Sequence, residues 1–133
     1  MCSDNVLTMP TCVVISPLRG GNGRTTIENL EFLRRIMRKL YLAGFAPYAP
    51  HAEIPLGTLS DAVPEERKIA IRAGIRIGMC MDCAIVVEDY GISEGMDQEI
   101  KSYAQTKPYI FYVRMSDPEI DVRLKDISKA ICG

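Results

Sequence analysis

Residues 83–87 read Cys-Ala-Ile-Val-Val, an apolar run with no polar face. A strand with one wet side alternates apolar and polar residues. An unbroken run belongs to a strand covered on both faces, as in a parallel sheet. The neighbouring residues narrow the choice further. Glu88 to Gly95 is polar, with Gly91 and Gly95 at its turning points. A helical pattern then starts near Ser93 or Gly95 and carries Glu99 in its first turns. Strand, loop and helix in this order place the loop at the carboxyl edge of the sheet, where open α/β sheets bind ligands. The stretch brings a hydroxyl (Ser93), loop N–H groups and a carboxylate (Glu99) to that edge.

The rest of the chain repeats the pattern. Residues 12–16 (Cys-Val-Val-Ile-Ser) form a first buried strand, and residues 1–11, of mixed polarity, are expected to fray. A loop, Pro17-Leu18-Arg19-Gly20-Gly21-Asn22-Gly23-Arg24, leads to Thr25 and Glu28, a capping box that opens a helix. Ile27, Leu30, Leu33, Ile36, Met37 and Leu40 give that helix an apolar stripe to about Leu42, and Gly44 ends it. Residues 45–49 make a second strand, with Pro47 marking a sheet edge. His51 lies just past it, and residues 53–63 form a loop long enough to act as a partial lid.

Pro64, Glu65 and Glu66 start a second helix, running to about Met79. Its pattern predicts Ile69, Ala70, Ala73, Ile77 and Met81 towards the core, with Arg67, Gly74 and Gly78 on another face. Glycines inside a helix cost about 1 kcal/mol each, so they mark close approach of a ligand, a strand or a partner helix. Residues 109–113 are a fourth strand. Asp117-Pro118-Glu119 opens a last helix with Ile120, Leu124, Ile127 and Ile131 inward. Strand and helix alternate four times. The predicted fold is a flavodoxin-like, Rossmann-like three-layer α/β domain over residues 1–133, with a doubly wound parallel sheet.

Composition removes several function classes. The net charge of −1 gives no electrostatic footprint for nucleic acid or an anionic membrane. No apolar run reaches transmembrane length, and the first ten residues lack a signal-peptide pattern. Five scattered cysteines fit reduced thiols in a cytosol. Cys80 and Cys83 read as two core cysteines, because no second pair or nearby histidine completes a zinc site. No metal and no cofactor are expected. The glycine loop fails both the Walker pattern and the dinucleotide fingerprint, since no Gly-Lys-Ser/Thr occurs and Thr26 stands where a third glycine would. A glycine loop entering a helix N-terminus still suits an anion, and Arg19 and Arg24 favour one.

Four pieces taken together resemble one family. They are Ile15-Ser16-Pro17-Leu18-Arg19-Gly20-Gly21, then Pro47-Tyr48-Ala49-Pro50-His51, then Cys80-Met81-Asp82 with its strand, and Ser93-Glu94-Gly95-Met96-Asp97-Gln98-Glu99-Ile100. The chain resembles the nucleoside 2-deoxyribosyltransferase superfamily over roughly residues 12–113. It is most similar to the small bacterial and phage branch and to the deoxynucleoside-monophosphate N-hydrolases. The resemblance implies a cytoplasmic homo-oligomer that binds a small-molecule nucleotide and has no nucleic-acid or membrane partner. It implies an N-glycosidase, either hydrolase or transferase, with Glu99 as nucleophile on C1′ and an oxocarbenium-like transition state. Ser93 falls on a hydroxyl that holds a 5′-phosphate, and Arg19, Gly20 and Gly21 on the loop around the sugar-phosphate. Ser16, Pro17, Arg24, His51, Arg67, Tyr90, Gly95 and Met96 complete the expected ligand-binding set. Asp82 reads as structural, since it opens its strand at the end away from the ligand edge.

Two positions depart from the family pattern. An acid expected in the second helix is Gly74, and a tyrosine expected in the first strand is Val13. Arg67 lies two turns before Gly74 and would favour an extra phosphate. Glu94 and Asp97 are the nearest alternative acids. A phospho-receiver on the same fold fails, because the acids it needs at strand ends are missing. Two expectations remain: a nucleotide N-glycosidase acting through Glu99, and a binder that sequesters or senses a nucleotide, such as a signalling nucleotide, without turnover.

Overall fold

The computed structural model describes residues 5–18, 21, 23–50, 58–106 and 109–132. The elements run β1 (Thr11–Ile15), α1 (Thr26–Leu42), β2 (Ala46–Tyr48), α2 (Pro64–Gly78), β3 (Cys83–Val87), α3 (Glu94–Ala104), β4 (Ile110–Val113) and α4 (Ile120–Cys132). A single 3₁₀ turn, Val6–Thr8, precedes β1. The four strands form one sheet in the order β2-β1-β3-β4, and every pairing is parallel. β2 is an edge strand, which lets it hold Pro47. This is a flavodoxin-like three-layer α/β fold. Its topology reverses between β1 and β3, and that switch point opens a crevice at the carboxyl edge.

Alternation along β1 and β3 feeds two apolar layers. Cys12, Val14, Cys83, Ile85 and Val87 meet Phe32, Leu33, Ile36 and Leu40 of α1 and Ile120, Leu124 and Ile127 of α4. Val13, Ile15, Ala84 and Val86 meet Met96 and Tyr103 of α3, with Ile75 of α2 packed alongside. β1 and β3 are fully buried from Cys12 to Ile15 and from Cys83 to Val87, as an all-apolar run requires. Among the described residues, no helix is long and apolar enough to cross a membrane.

Local signals set the element ends. Thr25 Oγ1 accepts from Glu28 N–H at 3.1 Å, and Glu28 Oε1 accepts from Thr25 N–H at 2.9 Å. These bonds also hold the Glu28 carboxyl below its ordinary range. Gly44, at φ 98°, closes α1 in the left-handed region. Asp82 accepts from Thr11 N–H at 2.8 Å and returns its own N–H to Thr11 Oγ1 at 2.9 Å. It therefore ties the amino ends of β1 and β3 together, far from the ligand edge.

The inner face of α2 differs from the predicted one. Ile69 and Ile77 are 57% and 44% exposed, and Ala73 is exposed too, while Gly74 and Gly78 are buried. Tyr103 of α3 explains this. The hydroxyl end of its ring packs against Gly78, where an added Cβ would lie 2.7 Å from Tyr103 Cζ. Its hydroxyl donates to Gly74 C=O at 3.2 Å. A large aromatic ring thus takes the space that isoleucines would need, and α2 turns its glycines inward. The glycines serve contacts within this chain, not a thinned face for a partner helix. The Cys80–Cys83 reading is also half corrected. Cys83 is buried, but Cys80 is exposed beside Arg76, which donates to its Sγ at 3.0 Å.

Candidate functional site

A cavity of about 310 Å³ opens at the carboxyl edge, on the α2–α3 side of the sheet. Ser16, Pro17 and Leu18 leave β1 to form one wall. Arg67, Ala70, Ile71 and Gly74 form a second, a spacing of three and four residues that selects one face of α2. Ser93, Glu94, Gly95, Met96 and Glu99 supply the third from the start of α3, and Pro50 and Asp61 close the rim.

α3 begins where the sequence signals it. Ser93 is its N-cap, and Ser93 Oγ accepts from Met96 N–H at 3.2 Å. Its hydroxyl proton remains available to a ligand. The helix N-terminus places partial positive charge at this wall. Glu99 lies more than a turn further in. Its Oε2 is buried, and among the described residues it is the one buried side-chain polar atom without a hydrogen-bond partner. Loss of water around the carboxyl raises it to about 7. Burial and the nearby Glu99 charge together push the Tyr103 hydroxyl, one turn further along α3, above its ordinary range. A carboxyl with one oxygen kept from both water and donors is destabilised as an anion. It gains most when positive charge or a donor arrives beside it.

Gly74 faces the rim. A Cβ there would meet Pro50 Cβ at 2.7 Å. The space that an acidic side chain would need is filled by proline, so α2 cannot place a carboxyl at this position without moving the β2 exit. Arg67 reaches the same cavity, with its Nε 3.4 Å from Asp61 Oδ1. Asp61 carries no sequence signal of its own; it lies in a loop whose path the residues alone do not specify.

Of the expected ligand-binding residues, Ser16, Pro17, Arg67, Ser93, Gly95, Met96 and Glu99 come together here. Arg19, Gly20 and His51 lie outside the described residues. Gly21, Arg24 and Tyr90 are not among the residues that line the cavity. Gly21 pairs with Arg24 across the loop, N–H to C=O at 2.8 Å and 3.0 Å in the two directions. Arg24 stacks its guanidinium 3.5 Å from the Tyr90 ring centre and donates from Nε to Asn29 Oδ1 at 2.9 Å. Asn29 in turn donates to Leu18 C=O at 3.2 Å. Tyr90 meets Phe32 edge to face at 4.9 Å. These groups fasten the two carboxyl-edge loops to α1. The sequence signal that could have supplied Ala70, Ile71 and Gly74 was the i, i+3, i+4, i+7 spacing from Arg67.

Fold and site together define a doubly wound α/β protein with a small-molecule-sized cavity at its switch point and a desolvated carboxyl inside it. The chain belongs to the family described as Domain of unknown function (DUF7768), whose model matches residues 10–113, from before β1 through β4. Every described residue lining the cavity falls within that segment. No curated protein matches the chain.

Proposed function

We propose that this protein binds a nucleotide in the carboxyl-edge cavity and cleaves its N-glycosidic bond through Glu99. The observation that carries the reading is the buried, unpartnered Glu99 Oε2 beside the α3 N-terminus. In the proposed step the Glu99 carboxylate bonds to C1′ as the C1′–N bond breaks, and the base leaves with a proton from solvent. Water then hydrolyses the ester, and the net reaction gives free base and sugar phosphate. Positive charge develops at C1′ in the transition state. An uncompensated carboxylate is stabilised by that charge more than by a neutral ground state, which is the condition for catalysis. The N-cap hydroxyl of Ser93 and the α3 N–H groups suit the 5′-phosphate.

A second reading, a nucleotide binder without turnover, is favoured by one observation. Pro50 fills the space beside Gly74, so the cavity lacks an α2 acid to protonate the leaving base. Chromatography after long incubation with deoxynucleoside monophosphates separates the two. Hydrolysis predicts free base from wild type and none from Glu99→Gln. Base release at an equal rate by both proteins refutes Glu99 as nucleophile, and bound nucleotide recovered intact supports the binder.

The proposal includes a homo-oligomer. Ile69, Ala73 and Ile77 form an exposed stripe at four-residue spacing on α2. Cys12, Cys80 and Cys83 are free thiols, which fits a cytoplasmic setting.

A further inference from the structure

The guanidinium of Arg67 lines the cavity, and among the described residues its one ionic contact is Asp61 Oδ1, 3.4 Å from Nε. That separation is an ion pair and too long for a good hydrogen bond. Among the described residues, none takes a hydrogen bond from the guanidinium. Asp61 lines the same cavity. The Ser60–Val63 turn that carries it is fixed. Val63 N–H donates to Ser60 C=O at 3.3 Å, Ala62 N–H to Ser60 Oγ at 3.2 Å, and Ser60 N–H to Glu66 Oε1 at 3.2 Å. These bonds hold the turn and the start of α2 independently of the Arg67–Asp61 pair.

We propose that Arg67 is an anion subsite on the α2 wall, distinct from the α3 N-terminus, and that Asp61 is a built-in placeholder which an incoming phosphoryl group displaces. The guanidinium fork matches two phosphate oxygens, whereas the Asp61 contact uses one nitrogen. The exchange thus trades a single ion pair for a bidentate one. It assigns the ligand a second anionic group beyond the one at α3, as in a nucleoside diphosphate. Asp61 makes entry of that group selective: a bare nucleoside leaves the pair closed, and only a phosphoryl group opens it. The nucleotide identity of the ligand rests on the function proposed above; the Arg67–Asp61 exchange does not.

Calorimetric titration of wild type, Asp61→Asn and the double variant Asp61→Asn/Arg67→Gln tests this. The probes are inorganic pyrophosphate, a deoxynucleoside and its 5′-diphosphate. Asp61→Asn is expected to bind pyrophosphate and the diphosphate about tenfold more tightly than wild type, a gain the double variant loses, with nucleoside affinity unchanged. Asp61→Ser, read alongside, guards against a folding defect in either variant. Equal pyrophosphate affinity in wild type and both Asp61 variants overturns the proposal. So does a gain that persists without Arg67, because it would then be a long-range charge effect. Pyrophosphate following the expected pattern while the nucleoside and its diphosphate bind alike keeps the subsite and removes the nucleotide reading. Nucleoside binding with no Asp61 effect on either phosphate probe does the reverse.

Discussion

Glu99→Gln should change how stability depends on pH, whatever the ligand turns out to be. The Glu99 carboxyl titrates near 7 in the folded chain against an ordinary value of 4.5. Between those values the native state holds a proton that the unfolded state has released, so stability falls as pH rises. The stabilisation is fully present below 4.5 and is lost as pH rises through 7. A gap of this size is worth about 3.4 kcal/mol in full, of which about 2.5 kcal/mol falls between pH 5 and pH 8. Glutamine has the same shape and does not titrate. Its buried amide carries a fixed cost, which cancels when one variant is compared with itself at two pH values. Urea unfolding of both proteins at pH 5 and pH 8 supplies the difference. Wild type should lose about 2.5 kcal/mol more than Glu99→Gln over that interval. Parallel losses would refute the desolvated-carboxyl argument, and with it the stated basis for transition-state stabilisation by Glu99.

The packing sets further outcomes. Gly78→Ala drives a methyl into the Tyr103 ring and should destabilise by about 1–3 kcal/mol, visible as a lower urea midpoint; an unchanged midpoint would contradict the α2–α3 contact. Arg24→Ala should cost about 1–2 kcal/mol of stability through the lost Tyr90 stack and Asn29 bond, and leave monophosphate affinity unchanged by calorimetry. A large affinity loss at unaltered stability would return Arg24 to the ligand site. Ile69→Glu/Ile77→Glu should convert the proposed dimer or larger assembly to monomer in sedimentation; an unaltered assembly would move the interface away from α2, and a monomeric wild type would refute the proposed assembly.

Much of the architecture is legible in the sequence because its determinants are local. The β3 boundaries, the Thr25–Glu28 capping box, the Ser93 N-cap and the β2 edge position each depend on a few neighbouring residues. The orientation of α2 is not local. By pattern, Ile69, Ala73 and Ile77 should face inward, and no pattern within α2 reveals that Tyr103, 25 residues beyond Gly78, claims the inner face. Arginine and tyrosine beside a glycine loop suit an anion, which is why Arg24 and Tyr90 stand among the expected ligand groups. In the fold they find each other first, with the ring and guanidinium 3.5 Å apart, and their recognition capacity is largely used internally. Asp61 gives no signal in the sequence at all, since its meaning depends on the fold bringing Arg67 beside it.

The two departures from the resembled family now have a physical connection. Val13 is fully buried on the β1 face that meets α3, so this position offers methyl groups to the layer from which Glu99 projects. Gly74 offers no side chain at all, and Pro50 occupies the space beside it. A tyrosine hydroxyl at the first position could have donated to a carboxylate in this layer, and an acid at the second could have donated a proton to a leaving base. With neither present, the Glu99 carboxyl keeps its raised value, and the proposed reaction would draw the leaving group's proton from solvent or from Glu94, which also lines the cavity. In the proposed reaction both groups would serve the chemical step, and the anion-binding groups of the cavity, Arg67 and Ser93, are present without them. Slow turnover with retained affinity is therefore the expected kinetic signature, and it is the signature that would let one cavity serve as a weak hydrolase and an effective nucleotide trap.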